Sequence, residues 1–270
     1  MLADGLIEAV QDLSDTTGDG LVHLPDTATS LVFRRRAGGR GDLLVIGPRT
    51  RAAYFTGKEL PTCVAARLRP GAARAALGVP VSDLVDRVVP LTDLWGADAS
   101  RLERHLAADD GLEPFAGRLE AVAGRLEAAL RARVAARRPD GGDVRLVHAA
   151  ARELASARPT RLPDLAHRLA VSERRLRSLF TDGAGLPPKA FTRIARLRTA
   201  LTMGNDLQAA PMARVPSAAA REAGGGRGLA EVAAVSGYYD QAHMSADFRS
   251  LLGVPPGAFF AGRLPAPAAC

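Results

Sequence analysis

The spacing of hydrophobic positions changes near residue 100 of this 270-residue chain. Up to about Leu94 they come as short apolar runs: Leu21 to Leu24, Leu31 to Phe33, Leu43 to Ile46 and Cys63 to Leu68. Gly, Pro and Asp separate them, the pattern of strands joined by turns. Ala72 to Leu77 is predicted as one short helix, entered through Pro70-Gly71 and closed by Gly78. From Ser100 onward the period is helical. Phe115, Leu119, Val122, Leu126 and Ala129 recur at spacings of 4, 3, 4 and 3. Such a stripe either packs on the chain's own N-terminal half or forms a short dimer seam. Arg137 to Asp143, with Pro139 and Gly141-Gly142, breaks the pattern and reads as a linker.

Two stretches beyond the linker repeat one plan. In the first, Leu162, Leu165, Ala166 and Leu169 follow the i, i+3, i+4, i+7 stripe of a short buried helix. Ala170-Val171 leads to Ser172, a good N-cap, with Glu173 in the first turn of the next helix. Leu176, Leu179 and Phe180 point inward there, which leaves Arg174, Arg175, Arg177, Ser178 and Thr181 outward. In the second stretch Leu229, Val232 and Ala233 form the stripe, and Gly237 supplies the turn. Asp240 caps a helix whose inward side is Met244, Phe248 and Leu251. Gln241, Ala242, Ser245 and Arg249 face out, with His243 and Asp247 toward the flanks. Between the two, Pro188 to Met203 is predicted as one helix, started by Pro187-Pro188 and stopped by Gly204. Asn205 to Gly228, with Pro211, Pro216 and Gly224 to Gly226, reads as a flexible loop.

A helix with the outward set of Glu173 to Thr181 fits the major groove and presents its first turns to base edges. Taken singly, that face could as well be a solvated amphipathic surface; its repetition in the second stretch points to a groove reader. The segments "LAVSERRLRSLFTDGAGLPPKAF" and "LAEVAAVSGYYDQAHMSADFRSLLGVPPGAFF" resemble the paired DNA-binding units of AraC-type transcription regulators, the AraC/XylS group. The resemblance covers about Asp143 to Phe260. It implies two helix-turn-helix units joined by a linker helix and a sequence-specific regulator, bacterial and cytoplasmic. Sixteen linker residues at about 1.5 Å each give about 24 Å, enough to set the recognition helices about 34 Å apart on successive major grooves. The candidate DNA-contacting residues are Ser172, Glu173, Arg174, Arg175, Arg177, Ser178 and Thr181 in the first unit. Arg193 and Arg196 stand on the linker helix, and Gln241, Ala242, His243, Ser245 and Arg249 in the second unit. Two departures stand out. The join to the second unit is far longer than the few residues usual in the family, and Arg249 is the one strongly basic side chain on the second recognition helix. Most affinity is therefore expected from the first unit.

Around His23 and Leu68 the chain is similar, less closely, to the N-terminal domain of one branch of the same regulators. The quoted segments are "HLPDTATSLVFRRRAGGRGDLLVIGPRTRA" and "LRPGAARAALGVPVSDLVDRVVPLTDLWG". That likeness implies a mainly β sensing domain and a small-molecule effector whose identity it does not give. The expected architecture is α+β. A mainly β sensor-like domain (1–96) and a helical connector with a dimerisation option (97–140) precede an all-α DNA-binding domain (141–262) and a disordered tail (263–270).

Charge sharpens the picture. Residues 1–140 carry 19 basic and 19 acidic side chains, whereas 141–270 carry 17 and 10, which is the whole net charge of +7. Arg161 to Arg198 alone hold nine basic and three acidic groups. An excess confined to one half points that half at a polyanion, double-stranded DNA. The preference for Arg over Lys goes with a GC-rich genome and says nothing of function. The acidic start and the lack of a long apolar run predict a cytoplasmic protein with neither signal peptide nor membrane span. His23, His105 and His148 are isolated from carboxylate pairs and nucleophiles, so no catalytic set is expected. Gly38-Gly39-Arg40-Gly41 lacks the lysine of a phosphate loop and is a turn. Cys63 and Cys270 form no zinc pattern, so no metal or cofactor is expected. That also argues against a DNA-repair alkyltransferase, a class in which some members carry the same module. A third option is an architectural DNA binder whose N-terminal half only dimerises; a polar pocket in residues 1–95 would argue against it. An activator would add RNA polymerase as a partner, and the helical stripe would add a second copy of the chain.

Overall fold

The computed structural model describes residues 5–14, 21–35, 41–55, 62–108, 115–205, 212–214 and 228–268. Period-two burial builds the main sheet. Leu31 and Phe33 face the larger core of the N-terminal half while Val32, between them, joins a smaller cluster with Ile46, Cys63 and Ala65. Among the described residues this sheet has five strands, all antiparallel to their neighbours. In chain order they are β1 (Ile7–Asp12), β3 (Ser30–Arg35), β4 (Gly41–Ile46), β6 (Thr62–Leu68) and β7 (Val88–Pro90). Across the sheet they run β1-β6-β3-β4-β7. β2 (Leu21–His23) and β5 (Ala53–Phe55) belong to a second, smaller sheet. The glycine-rich turn expected at Gly38 to Arg40 lies outside the described residues.

Helices cover one face of the main sheet. Helix α1 (Ala72–Leu77) has the expected bounds, with Gly71 and Gly78 both at positive φ at its ends. Helix formation resumes earlier than the apolar spacing suggests, at α2 (Leu91–Trp95) and α3 (Ala97–Ala107). Helix α4 (Phe115–Arg137) carries the heptad-like stripe. Val122, Leu126 and Leu130 are buried with Leu68, Leu77 and Leu106 in the protomer's own core. Glu127 accepts hydrogen bonds from the Leu6 and Ile7 amides, tying α4 to β1. The stripe is thus used within the chain, the first of the two options its spacing allows. The side chain of Phe115 lies outside the described ones.

The linker is shorter than its composition suggests. Only three residues separate α4 from helix α5 (Gly141–Leu154), and Asp140 caps α5 by accepting from the Gly142 amide. There follow α6 (Leu162–Arg168), α7 (Glu173–Ala184), α8 (Pro188–Asn205), α9 (Leu229–Val235), α10 (Gln241–Leu252) and α11 (Pro256–Phe260). They share a core in which Phe180 meets Phe191 edge-on and Phe248 meets Phe259 and Phe260. The fold is α+β: a mainly β N-terminal half with packed helices, then a mainly helical half. No helix among the described residues is long and apolar enough to cross a membrane.

Two expectations about the C-terminal half are corrected. Within the stretch expected as a free loop, β8 (Met212–Arg214) pairs antiparallel with β2, and the small sheet has the order β5-β2-β8. Residues 206–211 and 215–227 of that stretch lie outside the described ones. Of the tail expected to be disordered, Ala268 meets β5, where its amide donates to the Tyr54 carbonyl, and residues 269–270 lie outside the described ones. The strand pairing could not be read from sequence because its partner lies about 190 residues away, and the flanks carry Pro211, Pro216 and Gly224 to Gly226.

Candidate nucleic-acid interface

The two helix pairs are built by the same local rules. After α6 the chain turns through Ala170 at φ 53°, and the Val171 amide donates to the Ala166 carbonyl at 3.1 Å. After α9 it turns through Gly237 at φ 79°, and the Tyr238 amide donates to Ala233 at 3.0 Å. Ser172 then caps α7 by accepting from the Arg175 amide at 3.2 Å, and Asp240 caps α10 by accepting from the His243 amide at 2.7 Å. Leu165, Ala166, Leu176 and Phe180 in one unit, and Val232, Ala233, Met244 and Phe248 in the other, are buried. α7 and α10 are therefore the second helices of two matching helix-turn-helix units.

The outward sets lie largely where the apolar stripes place them. Ser172, Arg174, Arg175, Arg177 and Ser178 are exposed, and Glu173 and Thr181 half-buried. On α10, Gln241, Ala242, His243 and Arg249 are exposed and Ser245 half-buried. Local ion pairs hold two of the arginines: Arg175 reaches Asp143 at 3.0 Å, and Arg177 Nε reaches Glu173 at 3.0 Å. Asp247 is not a flanking residue. It is buried and accepts from Arg193 Nε at 2.6 Å, while the Arg196 guanidinium stacks over the Tyr238 ring at 5.3 Å. Burial first, and the neighbouring Asp247 carboxylate second, push the Tyr238 phenol up. Arg193 and Arg196 thus brace the second unit against α8 as well as facing the cleft beside it.

That cleft, of about 700 Å³, lies between the units and is lined by Arg177, Lys189, Arg193, Arg196 and His243, with Asp247 as its one carboxylate. Sequence reading missed Lys189. The signal was present, because Lys189, Arg193 and Arg196 are spaced by four and three residues on one helix and so share a face. Arg177 and Arg193 have carboxylate partners in Glu173 and Asp247, so the positive charge of the cleft falls mainly on Lys189 and Arg196, where an anion such as a phosphate chain would be favoured.

The N-terminal half holds both second helices at their C-terminal ends. At α7 the Gly71 amide donates to the Gly183 carbonyl at 3.3 Å, and Arg74 pairs with Asp182 at 3.3 Å. Gly185, at φ 86°, sits where a Cβ would lie 2.8 Å from Pro48 and 2.9 Å from Val81. At α10 the Ala52 amide donates to Leu251 at 2.8 Å and the Tyr54 hydroxyl to the Leu252 carbonyl at 2.6 Å. Burial pushes the Tyr54 phenol up to about 12. A buried charge cluster makes a third tie. Asp26 on the N-terminal side contacts Arg67 of β6 at 2.5 Å and lies 3.9 Å from Arg198 of α8. Burial opposes charge on all three. At Asp26 the two guanidiniums outweigh it and hold the carboxyl below its ordinary value. At Arg67 the close carboxylate also prevails over burial and raises the pKa, whereas at the more distant Arg198 burial prevails and lowers it.

A family described as a domain of unknown function (DUF6597) matches residues 10–90. No curated protein sequence matches the chain. Solved structures similar to it include two of ToxT from Vibrio cholerae. One is 9% identical with a TM-score of 0.42 and 97% of each chain covered. The other is 9% identical with a TM-score of 0.44, covering 96% of this chain and 95% of that one. A ToxT structure with a bound unsaturated fatty acid is 10% identical with a TM-score of 0.34, over 95% of this chain and 91% of that one. At this identity and score the likeness is one of outline, and it carries nothing about ligands.

Proposed function

We propose that this protein is a sequence-specific DNA-binding transcription regulator of the AraC type, in which the N-terminal half passes a signal to promoter binding. The observation that carries the reading is the cleft bearing Arg177, Lys189, Arg193 and Arg196 between two helix-turn-helix units. Arg174, Arg175, Arg177, Ser178 and Thr181 would meet base edges and phosphates of one major groove; Gln241, Ala242, His243, Ser245 and Arg249 would meet the next. The phosphate chain between the grooves would cross Lys189, Arg193 and Arg196. Eighteen residues of α8 span about 27 Å, compatible with second helices placed about one DNA turn apart. Contacts from the N-terminal half to the ends of both α7 and α10 favour signal coupling over a purely architectural role. A change in that half would alter how both helices are held.

The test is a binding titration on duplex DNA at increasing salt, first with random sequence and then with sites selected by the protein. Affinity is expected to fall with a slope of about −0.9 per phosphate neutralised. Arg174→Ala and Arg177→Ala are each expected to cost about 1–3 kcal/mol on the selected site if they read bases. Binding insensitive to salt and to both substitutions would overturn the reading.

A further inference from the structure

The two turns differ by one residue. Between the residue at positive φ and the N-cap, the first unit has Val171 alone, whereas the second has Tyr238 and Tyr239. Tyr238 takes the inward place. Its ring is buried, edge-on to His243 at 5.2 Å and under the Arg196 guanidinium. With that ring fixed from both α8 and α10, the extra residue has no inward place left. Tyr239 is 93% exposed, the most exposed large hydrophobic side chain among the described residues. It stands immediately before Asp240, the N-cap of the twelve-residue helix α10.

We propose that Tyr239 is a DNA-backbone contact of the second unit, its hydroxyl donating to a phosphate oxygen at the edge of the groove that α10 enters. The proposal rests on the DNA-binding reading above. Phosphate contacts are commonly made by tyrosine hydroxyls as well as by cations, and they fix register without reading sequence. The need is specific to this unit. Arg249 is the strongly basic side chain of α10, whereas α7 carries Arg174, Arg175 and Arg177. A neutral donor beside the helix N-terminus supplies a hold that charge does not.

Because a backbone contact needs no particular sequence, the probe is random-sequence duplex long enough to span two successive major grooves. Tyr239→Ala and Tyr239→Phe are expected to weaken binding about three- to tenfold. Their salt slope should equal that of the unsubstituted protein, because a neutral group releases no counterion. Their melting temperature should not move, since the side chain packs on little. Tetranitromethane followed by peptide mass mapping gives an independent readout. Tyr239 should nitrate in the free protein and be shielded by the duplex. Tyr239→Ala binding as tightly as the unsubstituted protein while Arg177→Ala is weakened would overturn the proposal and leave DNA binding standing. Equal nitration with and without duplex would also overturn it. Failure of the unsubstituted protein to bind the duplex would overturn both.

Discussion

Asp26 is the residue whose removal should be felt most widely, because its carboxylate faces guanidiniums from both halves of the chain. Its Oδ1 also accepts from the Ala28 amide at 3.0 Å, so the charge is held in place by the backbone as well. Asp26→Ala would remove the buried carboxylate that faces Arg67 and Arg198 and leave Arg67 with the exposed Glu8, a change that costs about 3–5 kcal/mol. Urea denaturation would measure this, and a loss under about 1 kcal/mol would show that water already screens the pair. His23 gives a second, pH-dependent effect. Burial, and then the Arg49 charge, lower its pKa from 6.5 to about 4. The unfolded chain therefore takes up the proton first. Stability is expected to be unaffected by this group above pH 6.5, to fall as pH drops from 6.5 toward 4, and to level off below that. The total effect is at most about 3 kcal/mol. His23→Gln should flatten that part of the stability profile, and an unchanged profile would assign the ring to solvent. Asp26 acts in a separate, more acidic window, because its folded pKa lies below 3.8.

At the scale of elements, what was legible in the sequence is what local chemistry decides. The bounds of α1 follow from Gly71 and Gly78, and the start of α7 from Ser172, because caps act within a few residues. The outward faces of α7 and α10 follow from apolar spacing for the same reason. Asp247 was misplaced because what draws it inward is Arg193, 54 residues earlier. β8 was missed because its partner strand is in the other half of the chain. The stripe on α4 left two options open because a helix that packs on its own sheet and one that packs on a second copy share the same period. The structure decides for the former, since Leu126 is 0% exposed in the protomer's core. Leu126→Asp is therefore expected to unfold the protein, at about 4 kcal/mol or more. Ala128→Asp, on the exposed face, should be nearly neutral. Circular dichroism with analytical ultracentrifugation separates the cases: a Leu126→Asp protein that is fully folded and altered only in oligomeric state would restore the seam.

At the scale of the whole molecule, the boundary between the mainly β N-terminal half and the helical C-terminal half is a boundary in sequence more than in packing. Val22 and Leu24, from the N-terminal half, are 3% and 1% exposed and sit in the same core as Leu154, Phe191 and Leu201. Burying two such side chains contributes about 1.5–3 kcal/mol each. β8 crosses in the other direction to complete a sheet with β2, and Ala268 lies against β5. Added to Asp26 and to the hydrogen bonds at the ends of α7 and α10, these ties exceed the few polar contacts of loosely joined domains. Neither half can therefore unfold without exposing apolar surface and stranding charge in the other. The full chain is expected to melt in one calorimetric transition whose van't Hoff and calorimetric enthalpies agree. A fragment beginning at Asp140, deprived of Val22, Leu24 and the anion facing Arg198, should melt at a clearly lower temperature. Two resolved transitions in the full chain, with the upper one matching the isolated fragment, would show that the halves are energetically independent. In that case contacts at the helix ends could not carry a signal from one half to the other.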